Sequence, residues 1–406
     1  MSKQLANRTD PKWIHQVLTQ FNSHEISEVQ ACEYLQIGRS RLYAIRKDWL
    51  KAQIKGTRFE LSTSGEGQKR SLTDTIQRFL HKELSYIATK AKFYRGRFNF
   101  AFISEKILDK FGVNIHRNTI RRFAIQKRYY RQTTQEIRKP CVRFEMNAIG
   151  ALFQHDTSRH VWLPCSGRYH DVLMTKDDHS RLVTGFSLRE IESAWEHIRL
   201  ARSIFEKYGC PLAYYVDRHN IFKLNLASSS IHYTVRISEE EGKVQFKRAL
   251  NSVDISVLYA QDAKSKGKIE KQFDYFQRRL PTECERYRVK TIKEAMKILT
   301  DLVFFYNEKR IHLETQEIPI QRWKRAIHEK RSKLRPLPKN KDLDVIFSLH
   351  YPRSVANDGS FRFHNKLYRI GQYPGKLITV AFIPNKKLMA IYKEQKIWQC
   401  HYENPS

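Results

Sequence analysis

The order of secondary-structure patterns between residues 149 and 280 limits this chain to one broad class of fold. Three strand patterns come first, followed in turn by helix, strand, helix, strand and helix. Apolar runs at 172–175 and 182–188 flank a polar stretch at 177–181, which predicts a hairpin turn. A helix predicted at 193–208 ends before a glycine and a proline, as helices commonly do. The pattern predicts a central α/β domain, which we place at 146–325.

A pair of short helices is predicted near the start of the chain. Ser27-Glu28-Val29-Gln30 has the form of a capping box, in which the Ser27 hydroxyl caps a helix. That helix breaks at Gly38, and a second helix follows at 39–46. Helix, short glycine turn and helix is the helix-turn-helix pattern, so we expect residues 1–60 to bind DNA. An ordinary pair of packed helices is the alternative.

The same pattern returns after a polar linker at 62–70. Helices predicted at 102–108 and 117–123 flank a turn at Gly112, which gives a second helix-turn-helix unit at 71–130. Two units in tandem favour DNA binding more than either alone. The arginines expected to contact DNA are Arg41, Arg46, Arg117, Arg121 and Arg122.

The C-terminal part of the chain combines one helix with several hairpins. The helix is predicted at 292–310, with Ile298, Leu302 and Phe305 on one side. Strand patterns at 361–363 and 366–370 flank one hairpin turn, and those at 377–383 and 388–392 flank another. We expect residues 345–400 to form a small β-barrel of four or five strands. The fold class is therefore multidomain: all-α units, an α/β core and a β-barrel.

The distribution of charge points to a polyanionic partner. The formal net charge is +32. Residues 1–145 carry 29 basic and 13 acidic side chains, 146–285 carry 20 and 18, and 286–406 carry 25 and 11. A nearly neutral core between basic flanks suits a nucleic-acid enzyme whose flanks hold phosphate. Ribosomal and chromatin proteins are the alternative, but they seldom contain a neutral α/β core.

The cysteines and the hydropathy of the chain bear on its compartment. Six cysteines are scattered without paired spacing, which favours a reducing cytosol and argues against a disulfide framework or a zinc-cysteine site. No segment approaches the roughly 18 apolar residues of a membrane span. We therefore expect a soluble protein without a visible export signal.

Three acidic residues suit a metal-dependent site. Asp156 and Asp217 each end a strand-like run, and Glu270 lies just inside an amphipathic helix. Such carboxylates can hold two hard divalent cations, which activate an attacking oxygen and steady the leaving oxygen of a phosphodiester. The structural alternatives are a turn aspartate at 156, an ion pair of Asp217 with Arg218, and a surface salt bridge at Glu270.

Two other acids compete with these for a metal-binding role. Asp177 and Asp178 lie in the predicted hairpin turn, where stabilising the turn is the more probable function. Several histidines lie near the acids in the sequence, among them His155 and His219. Their spacing does not support a zinc site.

Several motifs, in this order, make the chain similar to the DDE transposase and retroviral integrase superfamily, in particular to bacterial insertion-sequence transposases. They are Gln154-His155-Asp156-Thr157-Ser158, Asp177-Asp178-His179-Ser180-Arg181, Tyr208-Gly209-Cys210-Pro211, Val216-Asp217-Arg218-His219-Asn220-Ile221-Phe222, Val244-Gln245-Phe246, Ser265-Lys266-Gly267-Lys268-Ile269-Glu270-Lys271 and Tyr306-Asn307-Glu308-Lys309-Arg310-Ile311-His312, followed by Pro319 and Trp323. The resemblance covers about residues 100–325.

This resemblance implies a ribonuclease-H-like core and a catalytic, metal-binding triad at Asp156, Asp217 and Glu270. It implies Mg²⁺ (or Mn²⁺), hydrolysis at the ends of a mobile element, and attack of the freed 3′-hydroxyl on target DNA. The expected partners are double-stranded DNA and further copies of the chain in the active complex, located at the bacterial nucleoid. The lysines expected near the DNA are Lys264, Lys266, Lys268 and Lys271.

Two departures from the integrase pattern accompany the resemblance. The spacing between Asp217 and Glu270 is longer than in integrases, and residues 223–243 have the character of an insertion. The zinc-binding domain of retroviral integrases is absent. Two other functions remain open: a catalytically inactive DNA-binding regulator derived from a transposase, and a nuclease of the same fold.

Overall fold

The computed structural model describes residues 5, 9–59, 61, 72–92, 96–131, 145–216, 239–259 and 267–403. The chain forms two compact units. The helical unit comprises Met1–Val142, Leu163–Gly167 and Tyr275–Lys330, and the sheet unit comprises Arg143–Trp162, Arg168–Asp274 and Arg331–Ser406. Within the described residues, no helix is long and apolar enough to cross a membrane.

Three helices open the helical unit: α1 (Pro11–Asn22), α2 (Glu28–Leu35) and α3 (Arg39–Lys55). The predicted capping box is confirmed, because Gln30 N donates to Ser27 Oγ at 3.2 Å and Ser27 N donates to Gln30 Oε1 at 2.8 Å. The apolar sides of the three helices meet in one core. The predicted order of helix, short turn and helix is therefore present at α2 and α3.

The next three helices are α4 (Asp74–Ser85), α5 (Phe100–Phe111) and α6 (Arg117–Gln126). Gly112 ends α5 with a φ of +67°, a conformation that favours glycine and allows the short turn into α6. These helices pack around a second core, separate from that of α1–α3. The helices predicted at 102–108 and 117–123 are thus confirmed.

A five-stranded sheet forms the centre of the sheet unit. Its strands are β1 (Phe153–Leu163), β2 (Arg168–Asp177), β3 (Val183–Arg189), β4 (Ala213–Val216) and β5 (Ser256–Tyr259), in the order β3-β2-β1-β4-β5. β2 pairs antiparallel with β3, as the predicted hairpin requires, while β4 pairs parallel with both β1 and β5. The central α/β sheet is confirmed.

Helices lie against both faces of this sheet. They are α7 (Ala194–Tyr208), α8 (Glu239–Asn251) and α9 (Gly267–Gln277). Phe205 of α7 and Phe246 of α8 contact Tyr214 of β4 on one face. On the other face, Gln272 of α9 donates to the Met174 sulfur of β2 at 2.8 Å.

The helical unit also contains α10 (Leu280–Arg286), α11 (Ile292–Glu308) and α12 (Pro319–His328). Of the three residues predicted to share one side of α11, Leu302 is buried, and Ile298 and Phe305 are half-buried. The buried residues are Ala295, Leu299, Leu302, Val303, Tyr306 and Asn307. The Tyr306 ring packs on Tyr275 and Phe276.

A connector at 332–335 lies beside the segments that lead into β1 and β4 of the sheet unit. Ser332 bridges to Ile149, and Arg335 bridges to Cys210. Gly209 adopts a φ of +93°, and a Cβ there would come within 2.8 Å of the Arg335 carbonyl oxygen. The glycine that ends α7 is therefore required by this close approach as well as by the turn.

The C-terminal strands do not show the predicted barrel. After α13 (Leu343–Ile346) come β6 (Leu349–Ser354), β7 (Ser360–Phe363), β8 (Lys366–Arg369), β9 (Leu377–Ile383), β10 (Lys387–Tyr392) and β11 (Gln395–His401). They form a four-stranded sheet in the order β11-β10-β9-β6 and a separate hairpin of β7 and β8. Aromatic contacts join the two, including Phe363 with Phe382. Both predicted hairpins are present, but their strands belong to two small sheets.

Candidate active site

Asp156 is a buried carboxylate in the middle of the longest strand. It is the fourth residue of β1, which continues for seven more residues to Leu163. The expectation that the strand ends at Asp156 was therefore wrong. Only 6% of the residue is exposed. A nearly buried carboxylate is costly unless it is hydrogen-bonded, paired or bound to a metal.

The neighbouring strand β4 ends beside Asp156. Tyr215 is in register with Gln154, two residues before Asp156, and β4 ends one residue later at Val216. Because side chains alternate along a strand, Gln154, Asp156 and Tyr215 face the same side of the sheet. Asp217 follows Val216 in the sequence and lies outside the described residues.

Strand β2 carries the neighbour of Asp156 on its other side. The backbone bond from Asp178 N to Leu152 O, at 3.0 Å, and the 2.7 Å contact of His155 Nδ1 with Thr175 Oγ1 define how β1 and β2 align. In that register Asp156 lies opposite Met174. Since Met174 accepts the bond from Gln272, α9 lies on the same side of the sheet as Asp156.

Glu270 lies on this helix, two residues before Gln272. Ile269 and Phe273 are buried, whereas Glu270 and Lys271 are exposed. The helix therefore buries its apolar stripe and leaves the predicted acid accessible. Of the lysines expected near DNA, Lys264 and Lys266 lie outside the described residues, and the side chain of Lys268 is likewise not described.

Asp177 and Asp178 have the turn-stabilising role that the sequence favours. Both are fully buried. Asp177 accepts from Gly150 N at 2.9 Å, from Ser180 N at 2.7 Å and from Ser180 Oγ at 2.6 Å. Burial raises the pKa of Asp177 to about 6, although the bonds from Ser180 and Gly150 act to lower it.

Asp178 joins the same turn to strand β1. Its carboxylate accepts from Met146 N at 2.8 Å and from Gln154 Nε2 at 2.6 Å, and it lies 3.5 Å from Arg181. The carboxylate oxygens of both acids thus accept hydrogen bonds from the protein itself, in contrast to those of an acid placed to bind a metal.

A chain of buried polar groups, which the sequence did not reveal, lies on the opposite face of the sheet. His155 Nδ1 contacts Thr175 Oγ1 at 2.7 Å, and His155 Nε2 contacts His197 Nδ1 at 2.8 Å. His197 Nε2 lies 3.4 Å from a Glu192 carboxylate oxygen. The only sequence signal was the alternation of β1, which turns His155 away from the face of Asp156. These hydrogen-bonded groups hold β1, the strand that carries Asp156, on the face of the sheet opposite that residue.

The arginines predicted to contact DNA fall into two groups. Arg41, Arg117 and Arg122 are exposed, and Arg121 is half-buried beside the Tyr130 ring. Arg46 is only 4% exposed; its guanidinium donates to Asn22 Oδ1 at 2.7 Å and lies 3.4 Å from Glu317. The structure contradicts the prediction for Arg46, because a buried guanidinium paired inside the protein cannot reach a phosphate or a base.

The donor set suits hard divalent cations. Carboxylate oxygens, such as those of Asp156 and Glu270, are the ligands that Mg²⁺ and Mn²⁺ prefer. Within the part of the chain that the structure describes, no three His, Cys, Asp or Glu side chains form a metal-binding group. One of the three predicted ligands, Asp217, lies outside that part. The buried carboxylate of Asp156 fits a cation at this face of the sheet.

The chain is similar in sequence to two bacterial proteins named as transposases. It is 26% identical over 179 residues to the putative transposase y4bF of Sinorhizobium fredii, a match that covers 44% of this chain and only 37% of that protein. It is 24% identical over 401 residues to the transposase for insertion sequence IS1202 of Streptococcus pneumoniae, covering 89% of this chain and 78% of that protein. No protein-family model matches the chain. The predicted resemblance to bacterial insertion-sequence transposases is confirmed.

Two solved structures are similar to parts of the fold. The HTLV-2 integrase catalytic core domain in complex with magnesium aligns with a TM-score of 0.32 and 14% identity, over 43% of this chain and 97% of that one. The simian T-cell lymphotropic virus intasome in complex with PP2A regulatory subunit B56 gamma gives 0.36 and 13%, over 68% and 91%.

Proposed function

We propose that this chain is a DNA transposase. In this proposal it binds the ends of a mobile element, cleaves there and joins the 3′-hydroxyl ends to target DNA. The observation that carries it is the placement of Asp156, of the end of β4 and of the helix bearing Glu270 on one side of the central sheet. The names of the two bacterial relatives support the same reaction.

The catalytic groups in this proposal are Asp156, Asp217 and Glu270, held on a ribonuclease-H-like core. Asp217 is included because it follows directly in the sequence on Val216, the last residue of β4, and that strand ends beside Asp156. The three carboxylates would hold Mg²⁺ (or Mn²⁺), which when bound activates the attacking oxygen and steadies the leaving one. The protein itself contributes fixed ligand positions and an accessible phosphate-binding face.

The helical unit is proposed to recognise the element ends. α3 and α6 occupy the position of the second helix in the two helix-turn-helix patterns, and Arg41, Arg117 and Arg122 are exposed on them. Exposed arginines on such helices can contact base edges and phosphates in a major groove. Element ends and target DNA, together with further copies of this chain, are the proposed partners, and the bacterial nucleoid is the proposed location.

Strand transfer with purified protein tests this function. The substrate is a labelled duplex carrying a cut element end, taken from the DNA that flanks the gene, mixed with a plasmid target and Mg²⁺. Joined products that disappear with EDTA are expected. Specific end binding without cleavage would instead identify a DNA-binding regulator, and cleavage without joined products would identify a nuclease.

A further inference from the structure

A cationic recess lies at the C-terminal end of α8 in the sheet unit. Its volume is about 500 Å³, and it is lined by Lys247, Arg248, Asn251 and Ser252. The spacing of four residues between Lys247 and Asn251, and between Arg248 and Ser252, places these side chains on neighbouring positions of one helix face. The lysine, arginine and amide groups offer several hydrogen-bond donors and two positive charges to a ligand, whereas the Ser252 hydroxyl donates to the Arg248 carbonyl at 2.9 Å.

Arg248 is anchored at the recess by one of its nitrogens. An Nη atom donates to the Ser348 carbonyl at 2.5 Å, while Nε is buried and has no hydrogen-bond partner among the described residues. Burial lowers the pKa of Arg248 to about 10, so the group is still charged at neutral pH.

Within the described residues, no carboxylate lies within ion-pair distance of these two cations. Neither Lys247 nor Arg248 forms an ion pair there. The acids of the adjoining segment already have partners, since Asp344 pairs with Arg202 and Lys387. The neighbouring His350 is neutral, because burial and the charge of Arg248 lower its pKa to about 4.

The polarity of the helix end does not outweigh these charges. The C-terminus of a helix carries only about half a negative charge. Here, moreover, the carbonyls of Arg248 and Leu250 accept backbone N–H groups, and the carbonyl of Ser252 accepts from Lys341 at 2.8 Å. Two full positive charges therefore dominate the field in the recess.

We propose that this recess binds a backbone phosphate of DNA. Lys247 and the guanidinium of Arg248 supply charge-assisted donors for the phosphate oxygens, and the Asn251 amide supplies a neutral one. The inference rests on the proposed function, which brings DNA to the sheet unit. It adds a contact that lies outside the acidic site and that fixes the position of the duplex without reading its sequence.

Salt dependence of DNA binding tests the recess in the full-length protein. The variant Lys247→Gln/Asn251→Asp removes one positive charge and adds one negative charge on the exposed face of α8. The matched control, Ser203→Asp/Lys207→Gln, makes the same charge change at the same spacing on the exposed face of α7. Affinity for a random-sequence duplex is measured between low and moderate salt, with thermal melting to verify folding.

Loss of one phosphate contact makes the log–log salt slope shallower by about 0.9 in the recess variant and leaves the control at the wild-type slope. An unchanged slope in the recess variant, or an equal change in both variants, overturns the proposal. If inorganic phosphate raises the melting temperature of the wild type but not of the recess variant, while the DNA slopes agree, the recess takes free phosphate and the DNA assignment is wrong.

The two proposals fail in different ways. If the recess variant and the control differ in salt slope but the wild-type protein neither cleaves nor joins DNA, only the transposase function is contradicted. Wild-type protein that cleaves and joins DNA, with identical slopes in the two variants, contradicts the recess alone.

Discussion

Among single residues, the buried aspartates of the sheet unit differ in what surrounds their carboxylates. Asp177 and Asp178 accept bonds from backbone and side-chain donors of their own turn. Asp156 lies on the side of the sheet covered by α9, next to the end of β4. The donors around Asp177 and Asp178 therefore assign both residues to the turn, and the face on which Asp156 lies supports the role proposed for it.

The first prediction concerns the proposed triad. Asp156→Asn, Asp217→Asn and Glu270→Gln each keep the size of the side chain and remove one anionic ligand. Cleavage and strand transfer should fall by at least about 100-fold, because a missing ligand disrupts the metal geometry. End binding should persist, since phosphate contacts lie mainly elsewhere. The measurement is product formation with Mg²⁺ on a cut-end duplex, and full activity in any of the three variants contradicts the assignment.

Asp178→Asn provides the matched control for these variants. The new amide group would face either Met146 N–H or the Gln154 amide, and a donor facing a donor cannot form a bond. We expect a loss of about 1–3 kcal/mol in the free energy of unfolding, measured by urea denaturation. The activity of the folded fraction should stay near that of the wild type. A folded but inactive variant would place Asp178 in the catalytic machinery.

Between elements, one buried ion cluster joins α3 to the start of α12. Glu317 lies 3.4 Å from Arg46 and 2.6 Å from Arg325. Burial alone would raise the pKa of Glu317, but His24, whose Nε2 lies 3.9 Å from the carboxylate, and the charges of Arg325 and Arg46 lower it to about 2. A residue on a predicted DNA-binding helix therefore holds two helices of the same unit together.

The sign of this shift gives the second stability prediction. The pKa of Glu317 is lower in the folded protein than its ordinary value of 4.5, so its contribution is complete above pH 4.5 and is lost as the pH falls toward 2. Glu317→Gln leaves Arg46 buried without a counter-charge and should cost about 3–5 kcal/mol at pH 7. Chemical denaturation at several pH values should show a smaller acid-induced loss in the variant. Parallel curves for the two proteins would contradict this account.

The next prediction concerns α3 and α6, the two helices proposed as recognition helices. Arg41→Ala on α3 and Arg122→Ala on α6 should each weaken binding to element ends by about 1–3 kcal/mol if the side chain contacts a base edge. Arg78→Ala on α4 is the control, because Arg78 is equally exposed but lies on neither recognition helix. Gel shifts with end and random duplexes separate the cases. Equal losses on both duplexes would mean that the arginines contact only phosphates.

Local patterns predicted the helices and hairpins well, because capping, glycine turns and alternation are properties of short segments. The capping box at Ser27, the turn at Gly112 and the hairpin between β2 and β3 all follow from a few neighbouring residues. The same reasoning identified the acids of the proposed site. It also identified Asp177 and Asp178 as turn residues, from their position between two strands.

Features that depend on distant contacts were missed. The length of β1 is set by its partners on both sides, so the polar residues after Asp156 gave no sign that the strand continues. The burial of Arg46 requires Glu317, which lies far along the chain. Likewise, the connector at Arg335 lies beside the segment that leads into β4 because backbone bridges hold it to Cys210. Charge and hydropathy patterns do not contain such information.

For the whole molecule, the distribution of charge suggests that the acidic site and the DNA-phosphate contacts lie in different parts of the chain. The nearly neutral region 146–285 contains the acids, and the basic flanks supply most of the excess of +32. Within the C-terminal strands, the hairpin of β7 and β8 exposes Arg362, Lys366 and Arg369. Cations on a short exposed hairpin are well placed to meet a phosphate backbone, whereas the four-stranded sheet buries its apolar residues.

The last prediction tests that division with substitutions that spare the fold. Deleting 345–406 would remove the Ser348 carbonyl that binds Arg248, so a truncation confounds charge with packing. Arg362→Gln/Lys366→Gln/Arg369→Gln removes three exposed cations instead. If each neutralises one phosphate, the log–log salt slope of duplex binding should become shallower by about 2.7, at about 0.9 per contact. Preference for element ends should be unchanged, because phosphate contacts position the duplex and groove contacts specify it. A wild-type slope in the triple variant would mean that the hairpin serves assembly or packing, and that the basic helical unit carries the DNA without it.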